Sequence, residues 1–477
     1  MLSWHRIWLK IDKWWWLAGI PALVLRVGLA IAPERLWYDE AFSVLVARLP
    51  LERLLAATAG DVHPPLYYLL LNVWLQVARG VPLELGARLP SLLASLVALL
   101  FYWWLLPHLA VTGTQARIAW LLAAYMPGLI HYASEARMYA LLQLEVLMAL
   151  VALLRASRQW MRIVLGGLAC GAAVLTHNTG PIYCIVIALI VLMIRRRSAL
   201  TDLVGAGSVA LLCWLPWLPT MLLQVNATAQ QYWIWHNGIS TASYMGFQSI
   251  FYYRLKDWLT MPAMMLAGGL TMAGVLAERR PWLGIWAIGP TIIGMLLSVV
   301  TSTGAILHRA LTPTLFGLAT LWARVLCDRS VRAILATLVI AVIAIADWTF
   351  VTRGRDMAGY DVLAVIEPQP GDIIYASNPA GLQLIPYIDL PIFFAPTTVT
   401  IGEMLSIQTQ EAIGLQRAYL EDLSWRRVWL LEFRLPLRNK READYIASLL
   451  EQYPHHKIVE YGDQLTTQNI VWLLQRE

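Results

Sequence analysis

The sequence predicts an α-helical polytopic membrane protein with about eleven transmembrane helices and a small C-terminal extracytoplasmic α/β domain. Three observations lead to this fold class. Of 477 residues, 59% are hydrophobic and only 14% are charged, whereas ordinary soluble domains are roughly 25% charged. The apolar residues gather in runs long enough to cross a bilayer. The chain also contains 23 Trp residues, a side chain that favours the membrane–water interface.

The predicted spans follow from the length of each apolar run, because ~20 mostly apolar residues are needed to cross hydrocarbon with every amide paired. They lie near residues 14–32, 90–107, 117–131, 138–154, 163–177, 180–194, 202–222, 261–277, 282–301, 308–326 and 332–350. Residues 1–350 therefore form a predicted transmembrane catalytic domain. Residues 351–477 contain no further run that could span and form the predicted soluble domain.

Short basic loops predict the topology, because Lys and Arg favour the cytoplasmic side. Alternating spans place all of these clusters inside: the amino terminus, Arg117, 155–162, 195–197, 279–280 and 329–332. Residues 63–78 are apolar enough to span, but counting them would move Arg155 and the 195–197 cluster outside. We therefore expect an amphipathic helix there, started by Pro64 and Pro65, in the outer interface.

This topology makes three loops extracytoplasmic, at residues 33–89, 131–137 and 224–260, together with the C-terminal tail. The tail alternates apolar and polar residues as strands do at 371–377 and 426–433, and it has a helical pattern at 441–452. The predicted location is the plasma (inner) membrane, with the active site and the C-terminal domain outside.

The charge and the cysteines exclude other classes of protein. The formal net charge of +6 lies in short runs between apolar segments, so it reports topology, and we expect no nucleic acid as a partner. The four cysteines lack metal-type spacing and stand in or beside apolar stretches. They are expected to be small apolar packing residues.

An acidic pair follows the first span in the segment WYDEAFS, residues 37–43. Asp39 and Glu40 there are candidates for a general base or for a metal ligand, because aromatic neighbours partly screen them from water. The alternative is an acidic helix start that faces water. Asp61 and His63 in DVHPPLYY offer further metal ligands or a phosphate contact, and the alternative there is a capping Asp with a surface His.

Cations and a further acid occur at the outer ends of later spans. Glu135 and Arg137 lie in SEARMY, residues 134–139, where the alternative is that both side chains snorkel to the interface. His308 and Arg309 stand at the outer start of the tenth span, and Arg254, Lys256 and Asp257 precede the eighth. Arginine suits phosphate because its planar fork makes two charge-assisted bonds.

These motifs together resemble the GT-C superfamily of membrane glycosyltransferases, of the bacterial glycosyltransferase family 39 type. This group is related to the protein O-mannosyltransferases and to the lipid A aminoarabinose transferase. The resemblance covers nearly the whole chain in order: the pair Asp39–Glu40, HPPLYY at 63–68, ARLPS at 87–91, SEARMYALL at 134–142 and HRALTPTLFGL at 308–318. The chain departs from relatives at His63, where the aminoarabinose transferase has Lys, and at Ala310, where many have Tyr.

The resemblance implies interfacial helices in the first outer loop and a catalytic acidic residue there, which maps onto Asp39. We expect this carboxylate to act as a general base. The resemblance also implies a polyprenyl-phosphate sugar donor and inversion at the anomeric carbon. The expected acceptor is a lipid, a glycan or a protein, and membrane lipids are expected as further partners. Glu40 and Glu135 join Asp39 as catalytic candidates. The candidate substrate-binding residues are His63, Tyr67, Arg137, Tyr139, Lys256, His308 and Arg309. Glu40, Asp61 and His63 are the candidate ligands of a divalent metal ion.

Two other classes of function remain open at this point. A flippase or transporter of lipid-linked sugars would need ionisable residues within the spans, and Arg26 is the main candidate, with a side chain expected to snorkel outward. No internal repeat is evident, which weakens that reading. A non-catalytic subunit of polysaccharide assembly would keep the fold and lack the chemistry.

Overall fold

The computed structural model describes residues 15–231, 248–251, 257–301, 308–327, 332–353, 362–396, 406–434, 440–461 and 468–476. The chain forms two compact units. The first comprises Met1–Ala32, Gly80–Leu222 and Ile234–Arg353, and the second Pro33–Arg79, Leu223–Trp233 and Gly354–Glu477. The loop after the first apolar helix thus packs with the C-terminal segment. The domain boundary predicted from the sequence, at residue 350, had placed this loop in the transmembrane domain.

The described helices, in chain order, are α1 (Ile20–Ile31), α2 (Tyr38–Ala47), α3 (Leu51–Gly60), α4 (Leu66–Val77), α5 (Leu83–Leu105), α6 (Gly113–Tyr125), α7 (Pro127–Ala133), α8 (Tyr139–Arg155), α9 (Gln159–Thr176), α10 (Gly180–Arg195), α11 (Leu200–Trp214), α12 (Leu218–Gln231), α13 (Asp257–Ala277), α14 (Pro281–Thr301), α15 (Thr314–Leu326), α16 (Arg332–Arg353), α17 (Val362–Val365), α18 (Ile407–Ile413) and α19 (Lys440–Gln452). Short 3-10 segments include His308–Leu311 and Pro379–Leu384. The strands are β1 (Ile373–Ala376), β2 (Ile392–Phe394), β3 (Gln416–Arg417), β4 (Arg427–Arg434), β5 (His455–Tyr461) and β6 (Gln468–Gln475).

Within the described residues each predicted span is mostly helical, and two of the spans divide into two separate α-helices. The segment at 117–131 divides into α6 and α7 at Met126, whose backbone is extended, and the segment at 202–222 divides into α11 and α12. Pro127 explains the first break, because a proline has no N–H to continue the ladder and disfavours helix at the residue before it. The first outer loop holds three helices, α2 to α4, where the residue pattern predicted one.

Several helices are apolar enough to cross a membrane. Within the described residues, four stretches qualify by length and composition: Leu83–Leu109, Gln159–Thr176, Trp258–Ala277 and Pro281–Val300. Shorter apolar helices include Thr314–Leu326 and Ala336–Trp348. The total of about eleven spans stays a prediction.

Small residues bring α9 and α11 of the first unit into close contact. A Cβ atom added at Gly167 would lie 2.6 Å from Cβ of Val209, and one added at Gly171 would lie 2.8 Å from Cβ of Cys213. Helices in a bilayer gain affinity mainly from such close packing, because lipid tails are as apolar as the helices themselves. The two glycines, four residues apart, therefore define one side of this helix pair.

Arg26 of α1 caps the broken helix. Its side chain is fully buried, with 0% exposure, and donates to the carbonyl oxygen of Ala123 at 3.2 Å and to that of Ala124. In a continuous helix the Ala123 carbonyl would accept from the N–H of residue 127, which is proline. Asp347 of α16 interacts electrostatically with this guanidinium. The expectation that Arg26 snorkels outward is therefore wrong, since it satisfies carbonyls inside the first unit.

The second unit contains a six-stranded mixed sheet in the order β3-β2-β1-β4-β6-β5. Strands β3, β2, β1 and β4 are parallel, and β6 runs antiparallel to both β4 and β5. The segments at 371–377 and 426–433 form strands β1 and β4, and the pattern at 441–452 forms α19, as their periodicity predicts. The core on one face includes Tyr375, Val428 and Leu430, which are buried against Ile446 and Leu449 of α19.

The helices of the first loop pack on this C-terminal segment. Thr409 Oγ1 in α18 donates to the Ala57 carbonyl of α3 at 3.0 Å, and Arg53 Nε of α3 donates to the Ala412 carbonyl at 3.0 Å. Gly60 allows the close approach, because a Cβ there would lie 2.7 Å from Thr409 Oγ1. Helix α2 contacts the turn Pro379–Leu384 that follows β1.

Candidate active site

Asp39 and Glu40 of the second unit begin α2 and have different surroundings. Glu40 is fully buried, and its carboxylate accepts a hydrogen bond from the Trp37 backbone N–H at 3.4 Å. It therefore caps the helix end, where backbone donors lack intrahelical partners. Asp39 is half-buried, and its carbonyl accepts from Ser43 Oγ at 2.8 Å. Of the two acids, Asp39 is the more exposed.

Asp61 and His63 lie between α3 and α4 of the same unit, and Tyr67 lies in the first turn of α4. His63 Nδ1 lies 3.0 Å from Asp61 Oδ2, which fixes the ring and leaves Nε2 as its other polar atom. The backbone of Asp61 is held in turn, because Gln224 Nε2 of α12 donates to its carbonyl at 2.6 Å. Tyr67 is buried, and its ring meets that of Tyr68 edge-on. This arrangement is a rigid loop rather than an exposed surface.

The predicted metal ligands do not form a complete donor set. In the part of the chain that the structure describes, no three His, Cys, Asp or Glu side chains come together in a way that could hold a metal ion. Asp61 and His63 form a pair, and Glu40 bonds to backbone instead. We therefore assign no catalytic step to a metal, although the Asp61–His63 pair offers the start of a site.

Glu135 of the first unit lies in a buried polar cluster at the end of α7. Its carboxylate Oε2 is 3.4 Å from His131 Nε2, and the two side chains are 1% and 5% exposed. The sequence SEAR that follows α7 forms a tight turn, in which the Arg137 N–H donates to the Glu135 carbonyl at 2.8 Å. Ser91 Oγ of α5 donates to the Arg137 carbonyl at 3.1 Å. The alternative that Glu135 and Arg137 only snorkel is wrong, because both are buried.

Aromatic rings connect this turn to the neighbouring helices. The ring of Tyr139, at the start of α8, lies 4.8 Å from that of Tyr132 and 5.8 Å from that of His177. His177 follows α9, and its Nδ1 accepts from the Thr179 N–H at 3.1 Å. That bond leaves the ring proton of a neutral imidazole on Nε2.

His308 and Arg309 lie in the 3-10 turn that precedes α15. Tyr183 Oη of α10 donates to the Ala310 carbonyl at 2.6 Å and so holds the turn in place. His308 is buried and Arg309 is half-buried. Burial, and secondarily the charge of Arg309, lowers the pKa of His308 to about 3. His308 is therefore neutral at physiological pH, and Arg309 carries the positive charge of this turn.

Sequence reasoning missed several members of these clusters. Four residues with the contacts described above lie in sequence that is typical of an apolar helix end: His131, Tyr132, His177 and Tyr183. Each stands within a few residues of a proline or glycine at a helix boundary, but such boundaries are too common to mark a site residue. Lys256, with Arg254, lies outside the described residues, and the side chain of Asp257 does too.

The comparisons with known proteins assign a fold class. No family model matches the chain, and no curated protein matches it by sequence. Solved structures do match, and they are GT-C membrane transferases, a group that includes lipid A aminoarabinose transferase and archaeal oligosaccharyltransferase. The resemblance predicted from the sequence is thus confirmed at the level of the fold. The apolar helices and this fold make the chain a membrane protein.

Two of these structures are of ArnT from Cupriavidus metallidurans. In its apo state ArnT is 14% identical, with a TM-score of 0.59, and the match covers 98% of each chain. In the form bound to undecaprenyl phosphate the TM-score is 0.60, over 96% of this chain and 98% of that one. The Archaeoglobus fulgidus oligosaccharyltransferase, in a complex with Zn and sulfate, is 15% identical with a TM-score of 0.50, over 87% and 67% of the two chains.

Proposed function

We propose that this protein is a glycosyltransferase that moves a sugar from a polyprenyl-phosphate donor to an acceptor at the outer face of the membrane. The observation that carries the proposal is the similarity in fold to ArnT, which extends over 96% of this chain to a form that holds undecaprenyl phosphate. The two acids of α2 add chemical support, because their surroundings differ. Glu40 is buried and caps the helix, whereas Asp39 is half-buried, which favours Asp39 as the reacting group.

The proposed reaction is an inverting substitution at the anomeric carbon. Asp39 accepts the proton of the acceptor hydroxyl as that oxygen attacks the anomeric carbon. The bond from this carbon to the phosphate oxygen breaks, and polyprenyl phosphate leaves with the electron pair. Arg309, together with Arg137 or Lys256, binds the phosphate and stabilises the charge that develops on it. Neutral His308 contributes hydrogen bonding rather than charge to this binding.

Glu135 has a supporting task in this proposal. Its buried carboxylate lies beside His131 in the turn that also carries Arg137. An acid in this position orients the sugar or the acceptor through hydrogen bonds, as the resemblance implies. Tyr139, Tyr67 and His63 complete the proposed substrate-binding residues.

The direct test uses purified protein and a panel of polyprenyl-phosphate sugars, with release of free polyprenyl phosphate as the readout. A transferase releases it from at least one donor, and release rises when the correct acceptor is added. Release from none of the donors, combined with donor movement across a vesicle bilayer, would identify a transporter instead. Repetition with a chelator measures any requirement for a divalent metal.

Substitution of the base gives a sharper test. We expect Asp39→Asn to lower kcat at least ~100-fold, equivalent to ~3 kcal/mol of transition-state stabilisation, because the amide cannot accept the proton. Glu52→Gln is the matched control, since Glu52 is an exposed acid on α3 of the same loop. Wild-type turnover by Asp39→Asn would remove Asp39 from the mechanism. Binding of donor without turnover in both wild type and variant would identify a non-catalytic subunit.

A further inference from the structure

The parallel part of the sheet in the second unit has a topological switch point. From β1 the chain continues to β2 on one side, and β4 joins β1 on the other side. Open parallel sheets usually bind ligands outside the carboxyl ends of the strands at such a point, because the two connections leave in opposite directions and open a crevice. In this protein the carboxyl end of β1 is followed by Ser377, Asn378 and the turn Pro379–Leu384.

This crevice has a rigid base. Ser377 Oγ accepts from the Phe433 N–H of β4 at 3.0 Å, and Asn378 Nδ2 donates to the Phe433 carbonyl at 3.0 Å. The turn folds back closely on β1, since a Cβ added at Gly381 would lie 2.6 Å from that of Ala376. The carboxyl ends of β1 and β4 are therefore joined into one firm edge.

A segment of the same chain lies against this edge. Helix α2, which begins with Asp39 and Glu40, packs on the turn Pro379–Leu384. Three residues beyond the turn, Tyr387 Oη accepts the Leu36 N–H at 2.7 Å, and the Arg35 guanidinium lies 5.6 Å from the centre of the Tyr387 ring. Helix α2 and the residues that lead into it thus pack on the segment that follows β1.

We propose that Tyr387 is a positioning residue that fixes the backbone entering α2 and thereby sets the orientation of Asp39. The Leu36 N–H lies outside the helical hydrogen-bond ladder, so without the tyrosine hydroxyl this chain segment would rely on weaker contacts. The next amide, Trp37, is held by Glu40. The successive amides of Leu36 and Trp37, just before α2 begins at Tyr38, are thus each fixed, one by the C-terminal segment and one by the helix itself. The kinetic part of this inference rests on the proposed function.

The first experiment measures hydrogen–deuterium exchange of the peptide that contains Leu36, in the full-length protein and in Tyr387→Phe. This substitution keeps the ring below Arg35 and removes only the hydroxyl. We expect about fivefold faster exchange at Leu36, as loss of one neutral hydrogen bond predicts. Tyr419→Phe is the control, because Tyr419 is an exposed tyrosine in the same unit that packs on Tyr445. Unchanged exchange in Tyr387→Phe would overturn the proposal.

The second experiment separates positioning from general stability. We expect Tyr387→Phe to lower kcat about fivefold, with KM for the donor within twofold of wild type and an unchanged unfolding temperature, because a misplaced base slows the chemical step alone. Tyr387→Leu, which also removes the ring, should lower both kcat and the unfolding temperature. Faster exchange with an unchanged kcat would overturn the positioning role and leave the transferase proposal intact. A wild-type protein that turns over no donor would overturn the transferase proposal, while the exchange result still reports on the Leu36 contact.

Discussion

Adjacent residues with the same charge have different roles in this protein. Glu40 is fully buried and bonds to the Trp37 backbone, whereas Asp39 remains half-buried at the first turn of α2. One residue along a helix turns the side chain by roughly 100°, so two neighbours can have different surroundings. The same contrast holds at His308 and Arg309, where the buried ring is neutral and the half-buried guanidinium is charged.

The burial of His308 predicts a pH dependence of stability. Its pKa is about 3 in the folded protein, whereas an unfolded histidine titrates near 6.5. The unfolded chain therefore binds the extra proton first, and the stability contributed by neutral His308 decreases as pH falls below about 6.5. The slope for one proton is at most about 1.4 kcal/mol per pH unit.

Thermal unfolding of detergent-solubilised protein between pH 7 and pH 4.5 tests this prediction. The unfolding temperature of wild type should fall more steeply with acidity than that of His308→Gln, which cannot take up the proton. His456→Gln is the control, since His456 is exposed on β5. Equal slopes for wild type and His308→Gln would show that His308 does not contribute.

The residue types of the site could be read from the sequence, but their surroundings could not. Asp39, Glu135, Arg137 and Arg309 stand out because charged side chains are rare beside apolar runs. Whether such a side chain is buried depends on contacts distant in sequence, such as that between Tyr183 and Ala310. His131 and His177 gave no signal for this reason, because a single histidine at a helix end is ordinary.

The interrupted helix made by α6 and α7 depends on a side chain from a third helix. Pro127 leaves carbonyls of α6 without partners, and Arg26 of α1 donates to two of them, on Ala123 and Ala124. A buried carbonyl without a partner costs several kcal/mol in hydrocarbon. The interruption also turns the chain, so that α7 carries His131 toward Glu135.

We predict that Arg26→Met destabilises the protein by about 3 kcal/mol, because it leaves two buried carbonyls unpaired and Asp347 without its cation. Arg26→Lys keeps the charge but has one donor group in place of a fork, so its loss should be intermediate. The measurement is the unfolding temperature in detergent. Arg158→Met is the control, since Arg158 is exposed at the start of α9. An unfolding temperature for Arg26→Met equal to that of the control would contradict the capping role.

The sequence predicts which segments are helical better than it predicts where helices break. Apolar runs identify every predicted span as helix, since hydropathy depends on local composition alone. The break at Met126 follows from Pro127, a local signal that the hydropathy window averages away. The break between α11 and α12 likewise contains a proline, Pro216. The partner of Arg26, in contrast, requires knowledge of which helices are neighbours. The amphipathic segment at 63–78 becomes helix α4, which begins directly after Pro64 and Pro65.

At the scale of the whole chain, the second unit constrains the topology because segments that are distant in sequence form it. Residues 33–79 follow the first apolar helix and pack with residues 354–477, which follow the last one. Soluble segments that pack together lie on one side of the membrane, so the chain between them must cross it an even number of times. Eleven spans satisfy this condition, because ten of them follow the first loop. The distribution of basic residues independently indicates the same parity.

Cysteine accessibility tests this parity directly. In a chain whose four native cysteines are replaced by serine, we predict that cysteines placed at Glu52 and at Asp422 react with a membrane-impermeant thiol reagent from the same side. Both positions are exposed, one on α3 and one in the C-terminal segment. A cysteine at Arg158, in a loop predicted to be cytoplasmic, should react only after the membrane is permeabilised. Labelling of Glu52→Cys and Asp422→Cys from opposite sides would be incompatible with their packing in one unit. Labelling of both only after permeabilisation would keep the packing and reverse the predicted orientation, which would place the candidate base Asp39 in the cytoplasm.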